Sequence, residues 1–230
     1  LIAIADLDAT PLGLNEETRT ELRDLYRCFD AEDAEIIKRL ETEGHEGHAA
    51  TNHDVKAVEY FIRLHLPDED AQGSWVHFGL TSEDVNNLAH RLLLEPAVTE
   101  VLVPAIRSIR DALAADARRY RDLPMLARTH GQPATPTTFG KEMAVYAARL
   151  GRSMGRLRET ADGLSGKLAG ASGTYAAHVA AYPDVDWPAF AREFVTGLGL
   201  DHTALSTQVN PCDDLAATFD ALRGVNNVLL

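Results

Sequence analysis

The sequence predicts an all-α protein, with a small N-terminal helical domain followed by a bundle of long helices. Two features of the composition favour helix: leucine and alanine are abundant, and only 7% of the 230 residues are aromatic. The third observation is the spacing of apolar residues, which recur at intervals of three and four along several segments. Because alanine-rich helices with few aromatic residues usually pack against other long helices, a bundle is the expected architecture.

The first helices are predicted from their caps and breakers. Asn15 can cap a helix that carries two glutamates in its first turn, where carboxylates suit the positive helix end. A second helix is predicted over residues 31–40, and another begins after Thr51 and ends at Pro67. Between these helices, residues 43–50 (EGHEGHAA) are expected to form a loop.

Longer helices are predicted in the rest of the chain. One begins around Thr81, where hydroxyl cap residues precede two carboxylates, and its apolar stripe is interrupted only near Pro104. Residues 123–136 contain three prolines and are expected to form a polar loop, and residues 137–164 a long helix. The remaining predicted segments are a glycine-rich stretch, a loop, a short helix and a final helix (163–173, 182–187, 188–198 and 214–230).

These elements predict two domains, residues 1–84 and residues 85–230. Residues 220–230 (DALRGVNNVLL) have the apolar spacing of a helix, without a cap or a stop signal. A domain does not normally end within a helix, so we expect the chain to be a fragment whose second domain is incomplete.

The charge and the cysteines limit the class of protein. The formal net charge of −13 argues against broad binding of nucleic acids or anionic membranes. No apolar run is long enough for a membrane span. Two cysteines, Cys28 and Cys212, make neither a disulfide framework nor a zinc cluster, which fits a reducing compartment. We expect a cytoplasmic protein, in which any anionic substrate has to be held by locally placed donors.

Two segments contain parts of familiar motifs but do not match them. Residues 45–48 (HEGH) are one residue short of the HExxH zinc motif, and glycine disfavours the helix that the motif requires. Residues 163–173 (GLSGKLAGASG) have the spacing of neither a P-loop nor a GxSxG nucleophile elbow. We therefore expect no metal site. The glycines still permit close backbone approach to a ligand or to a neighbouring helix.

Three loop-to-helix junctions place a histidine among small hydroxyl or amide residues: residues 51–54, 77–84 and 128–136. Helix N-termini present free N–H groups and partial positive charge, so each junction suits a carboxylate or a phosphate. A histidine adds a group that titrates near neutral pH. The alternative is that these are ordinary caps whose histidines bond to nearby backbone. The residues alone predict an anion site built from helix starts.

The same junctions carry a resemblance to a known family. Residues 128–136 (RTHGQPATP), 81–87 (TSEDVNN) and 51–60 (TNHDVKAVEY) resemble the bacterial adenylosuccinate lyase family of the fumarase/aspartase superfamily. The likeness continues through residues 177–187 and 206–208, in the family's order. It implies a long-helix bundle of the fumarase/aspartase type. The first 50 residues match less clearly, and residues 43–50 look like an insertion.

The resemblance implies a β-elimination that releases fumarate from adenylosuccinate, giving AMP, and from the succinylated aminoimidazole carboxamide ribotide of purine biosynthesis. A base removes a proton from the succinyl carbon beside a carboxylate, and an acid protonates the leaving nitrogen. The family uses no metal or organic cofactor. Two alternatives stay open: another fumarate-releasing lyase of the superfamily, and a non-catalytic helical assembly module.

The resemblance assigns two catalytic histidines. His130 matches the general acid of the family, and Thr129 beside it matches a substrate-binding residue. His53 matches a histidine that assists through the substrate phosphate or through the orientation of the acid. Asn52 and Asp54, which flank His53, are expected to bind substrate.

Further substrate-binding residues follow from the same motifs. Thr81 and Ser82 match the pair that hydrogen-bonds a succinyl carboxylate, and Gln208 matches a substrate-contacting glutamine. His77 is a further candidate, because some members of the family, though not all, have a site histidine there.

One departure from the family pattern concerns the catalytic base. The signature loop with its serine base (SSxMPxKxNP) is absent from these 230 residues, as is the N-terminal Arg-Tyr pair. Family members are homotetramers in which each site gathers residues from three subunits. We therefore expect this chain to hold part of a site and not to turn over alone.

Overall fold

The computed structural model describes all 230 residues and confirms the predicted helical class. The helices are α1 (Ile2–Ala5), α2 (Glu16–Arg27), α3 (Ala31–Thr42), α4 (Asp54–Leu64), α5 (Glu69–Gln72), α6 (Ser82–Pro96), α7 (Val103–Arg119), α8 (Phe139–Asp162), α9 (Ala176–Ala181), α10 (Trp187–Gly197) and α11 (Asp213–Leu229). The strands are β1 (Pro124–Thr129), β2 (Gln132–Thr138), β3 (Ser165–Gly166) and β4 (Asp201–His202). No helix combines the length and the apolar composition that a membrane span requires.

The chain packs as two compact units. The first unit comprises residues 1–89 and 166–210, and the second unit comprises residues 90–165 and 211–230. The first break lies close to the predicted domain boundary between residues 84 and 85. The prediction of one continuous second domain did not anticipate that residues 166–210 pack with the first unit. No local sequence signal shows which unit residues 166–210 pack against, because their amphipathic elements could pack on either one.

The first unit is built on two apolar clusters. In one, α3 and α4 pack through Leu40, Ala57 and Phe61, all of them buried. Helix α3 begins as the sequence predicts, with a capping box in which the Asp30 side chain accepts backbone N–H bonds and Asp33 bonds back to the Asp30 N–H. The other cluster joins the N-terminal segment to residues near α5 and α10 (Ile4, Leu12, Leu14, Trp75, Phe78 and Phe190).

The second unit is a helical bundle in which α8 packs against α7 and α11. Leu150 and Leu157 lie two turns apart on one face of α8 and are both buried in its core. The predicted interruption of the apolar stripe takes the form of a π-helical segment, Ala97–Leu102, just before Pro104. Because proline has no N–H and its ring crowds the preceding turn, the helix widens ahead of it.

The expected polar loop over residues 123–136 is wrong: the segment contains an antiparallel hairpin of β1 and β2. Its prolines are compatible with this hairpin, because each strand of a two-stranded ribbon has one unpaired edge where an N–H is not needed. Pro133 pairs in register with Arg128, and Pro136 with Leu126. The predicted long helix follows the hairpin as α8, capped by the Thr138 hydroxyl oxygen, which accepts the Lys141 N–H at 3.2 Å.

Candidate active site

The N-terminus of α6 is fixed by a buried carboxylate. Asp84 is 1% exposed, and its oxygens accept the backbone N–H groups of Thr81 at 2.9 Å, Ala169 at 3.0 Å and Gly170 at 3.0 Å. The first of these bonds closes the first turn of the helix, as capping residues do. The other two attach the glycine-rich segment to the helix start, so one side chain sets the position of both.

A buried lysine completes this attachment. Lys167 Nζ lies 3.0 Å from Asp84 Oδ1 and donates to the Gly170 carbonyl at 3.0 Å. The Asn87 side chain accepts the Lys167 N–H at 2.9 Å and donates to the Lys167 carbonyl at 3.0 Å. Since buried charges and amides are tolerated only when they are paired, the glycine-rich segment has one well-defined position against α6.

Gly79 shows why the turn before α6 requires glycine. Its φ is +68°, and a Cβ there would collide with the ring of the buried His178. Burial lowers the pKa of His178, and the nearby Asp84 only partly opposes this, so the ring is neutral at neutral pH. His178 lies in the segment 177–187 that resembles the family, but no sequence motif indicates a role for it.

His53 caps α4 at the predicted helix start, which is the ordinary-cap alternative left open for this junction. In the neutral tautomer with an unprotonated Nδ1, this atom accepts the Lys56 N–H at 3.4 Å and Nε2 donates to Ser82 Oγ at 3.3 Å. Asp54 Oδ1 lies 3.1 Å from the same Nδ1, so a doubly protonated ring pairs with Asp54 instead. The His53 side chain is 49% exposed and can therefore reach a ligand.

Asn52 and Gln208 occupy defined positions in the same unit. Asn52 has φ +51°, the left-handed conformation that asparagine tolerates better than most residues, and its N–H donates to Glu41 O of α3 at 2.8 Å. Gln208 Nε2 donates to Thr81 Oγ1 at 3.4 Å. The first unit therefore brings together His53 with Ser82, and Gln208 with Thr81.

His77 contacts a buried carboxylate that the sequence analysis did not consider. Its Nδ1 lies 3.2 Å from Glu59 Oε2, and Glu59 is only 5% exposed. The sequence pattern predicts that Glu59 lies on α4 but not that it is buried. Its charge is balanced by Lys56 and Arg63 on neighbouring turns, and the His77 ring comes from a segment outside the helix.

Thr129 and His130 lie in the second unit, at the turn of the hairpin. Thr129 pairs with Gln132, so His130 and Gly131 are the two central residues of the turn. Their φ values of +53° and +74° are those of a type I′ turn, which matches the twist of the flanking strands. His130 is exposed, so its imidazole is accessible to a ligand.

A metal centre is not indicated. No group of three or more histidine, cysteine or carboxylate side chains has a geometry that could hold a metal ion. The two cysteines, Cys28 and Cys212, are both free and exposed.

The class of protein follows from comparison with known families. A sequence profile described as Lyase matches residues 4–230, so the chain belongs to this lyase family. A solved structure of the fumarate lyase from Mesorhizobium sp. BNC1 has the same fold, with a TM-score of 0.72 and 26% sequence identity. That alignment covers 99% of this chain and 49% of the solved one.

More specific relatives are curated adenylosuccinate lyases. The enzyme of Escherichia coli K12 is 46% identical over 209 residues, which cover 90% of this chain and 44% of the relative. The enzyme of Legionella pneumophila Corby is 42% identical over 221 residues, which cover 95% of this chain and 46% of the relative. The chain thus spans less than half the length of these two relatives.

Proposed function

We propose that this chain carries part of the active site of a lyase that releases fumarate from adenylosuccinate and from the succinylated aminoimidazole carboxamide ribotide. The observation that carries the proposal is the start of α6, where Asp84 accepts the Thr81 N–H, Gln208 contacts Thr81 and His53 contacts Ser82. The adenylosuccinate lyases to which the chain is similar support this choice of substrates.

The start of α6 suits a succinyl carboxylate for a physical reason. The first N–H groups of a helix lack intrahelical partners and carry partial positive charge, which favours an anion. The hydroxyls of Thr81 and Ser82 add two donors at the same end. In a chain of net charge −13, such neutral donors attract a carboxylate locally where the overall field does not.

The histidines supply the proton chemistry in this proposal. His130, exposed at the hairpin turn, is the general acid that protonates the leaving nitrogen, and Thr129 binds the substrate beside it. His53 assists from the α4 start, held by its contacts with Ser82 and Asp54, and Asn52 and Asp54 bind substrate beside it. No serine base is assigned in this chain. We propose that the base comes from the part of the longer relatives that the chain does not span.

We further propose a homotetramer with sites shared between subunits. Several apolar residues on the helices of the second unit are exposed, among them Leu93 at 71%, Val101 at 64% and Phe219 at 57%. Exposed apolar side chains on bundle helices are typical of surfaces that another subunit covers. The free, exposed cysteines fit the reducing cytoplasm, where we propose that the protein acts.

A chimera tests the function. The chain is joined to the residues that follow the matching segment in the Escherichia coli relative, and adenylosuccinate consumption is followed by absorbance beside the chain alone. The expected result is turnover by the chimera and none by the chain alone. Faster turnover of argininosuccinate, aspartate or malate would favour another lyase of the superfamily. A folded tetramer with no turnover of any of these would favour an assembly module.

A further inference from the structure

Glu59 is a buried carboxylate whose two oxygens have different surroundings. Oε1 accepts Lys56 Nζ at 2.7 Å and lies 3.6 Å from the Arg63 guanidinium, so the neighbouring turns of α4 satisfy it. Oε2 is fully buried and makes no hydrogen bond, and the nearest polar group that could donate to it is the His77 ring, whose Nδ1 lies 3.2 Å away. A buried carboxylate oxygen without a donor is costly, so a proton on Nδ1, the ring nitrogen that faces Oε2, is favoured.

The position of this proton determines the state of the other ring nitrogen. A neutral imidazole carries one proton, and a carboxylate can only accept, so the pair requires the proton on Nδ1. Nε2 is then an acceptor in the neutral ring and a donor once the ring is protonated. The His77 side chain is 31% exposed, so Nε2, the nitrogen that does not face Glu59, is the one available to a ligand.

His77 also stands close in the chain to the proposed carboxylate site. Its carbonyl accepts the Leu80 N–H at 3.2 Å, which forms the short turn that leads to Thr81. Lys56 and Arg63 contact Oε1 and so fix the position of the Glu59 carboxylate. The other oxygen, Oε2, therefore has a defined position relative to the His77 ring.

We propose that Glu59 is a positioning residue, which holds His77 as the Nδ1–H tautomer and thereby presents Nε2 to the substrate. Its effect on turnover rests on the proposed lyase function, but the tautomer itself does not. Nothing in the resemblance to the lyase family assigned a role to Glu59.

The tautomer is tested first, by long-range ¹H–¹⁵N NMR of the 230-residue chain at a pH where the His77 ring is neutral. The expected spectrum has a protonated Nδ1 and an unprotonated Nε2.

In Glu59→Gln the side-chain amide can either accept from the ring or donate to it, so the Nδ1–H preference should weaken or reverse. Glu69→Gln is the matched control, because Glu69 contacts Arg63 and His48 but not His77. A wild-type ring protonated on Nε2, or a Glu69→Gln shift equal to that of Glu59→Gln, would overturn the proposal.

Kinetics of the chimera give the second readout. Glu59→Gln should lower kcat/KM by about 10–100-fold, the scale seen when the partner that orients a functional histidine is removed. In a His77→Asn background the same substitution should have no further effect, since the two residues act through one contact. Additive losses would overturn the positioning role. An inactive wild-type chimera would contradict the proposed function, whereas the NMR result would still decide the tautomer.

Discussion

Asp84 and Lys167 form an ion pair with a distance of 3.0 Å between Oδ1 and Nζ, and both side chains are completely buried. Each partner has further bonds, because Asp84 accepts three backbone N–H groups and Lys167 donates to the Gly170 carbonyl. The pair fixes the residues just after Thr81 and Ser82. Folding of the first unit and the geometry of the proposed carboxylate site therefore depend on one contact.

Removal of the lysine charge should strongly destabilise the chain. Lys167→Met leaves the Asp84 carboxylate buried without its cation, which costs about 3–5 kcal/mol when one partner of a buried pair is lost. The free energy of unfolding from urea denaturation measures the change. Lys38→Met is the matched control, because Lys38 pairs with Glu41 at 2.8 Å on the surface, where a pair is worth about 0–1 kcal/mol. Similar losses in the two variants would contradict the structural role of the pair.

Gly79→Ala should destabilise the same region by another mechanism. A Cβ would meet the His178 ring, and the positive φ of Gly79 is unfavourable for alanine, so the combined cost is about 2–4 kcal/mol. Thermal unfolding followed by circular dichroism measures the effect. Gly224→Ala serves as the control, because Gly224 lies in α11 with open space around its Cβ position. That variant should be unchanged or more stable by about 0.5–1 kcal/mol.

The stability of the chain should decrease as the pH falls below neutrality. Burial lowers the pKa of His178 and of His202 from their ordinary value of 6.5. Above that value neither state binds the proton, but below it the unfolded chain takes up protons that the folded chain does not. Stability is therefore lost as the pH falls through about 6.5, and the loss levels off below the folded pKa.

The slope of this pH dependence identifies the residue responsible. His178→Asn removes one of the two groups, so the decrease in unfolding free energy between about pH 7 and about pH 5 should become shallower. The comparison concerns the slope, so a constant change in stability caused by the substitution does not affect it. An unchanged slope would show that His178 does not contribute. Asp214 titrates below this range: burial acts to raise its pKa, but hydrogen bonds from Arg91 and the Ser165 N–H lower it overall.

The sequence predicted those parts of the fold that depend on local signals. The start of α2 was predicted because Asn15 is a recognisable side-chain cap, and the class was predicted because the apolar spacing is helical. The hairpin over residues 124–138 was missed because prolines normally indicate loops. A short ribbon with free edges is the exception, and only the pairing across the strands reveals it.

The candidate site also contains residues that local motifs predict and residues whose positions depend on contacts between distant segments. His53, Thr81 and Ser82 are predicted because they lie in recognisable motifs at helix starts. Lys167 and Glu59 are not predicted, although both are buried: Lys167 pairs with Asp84, and Glu59 lies beside the candidate His77. Their burial depends on contacts between segments far apart in the chain, and a lysine or a glutamate on an amphipathic helix or in a glycine-rich stretch is ordinarily exposed.

The role proposed for His130 leads to a direct kinetic prediction. Asparagine is the suitable substitute because it tolerates the left-handed conformation at φ +53°, so His130→Asn should keep the hairpin turn intact. In the chimera, kcat for adenylosuccinate should fall by about 10²–10⁴-fold, the usual contribution of a positioned acid. His90→Asn, at an exposed position of α6, should leave kcat unchanged. Near-normal turnover by His130→Asn would rule out the histidine as the acid, since the proton would then reach the leaving nitrogen from another group.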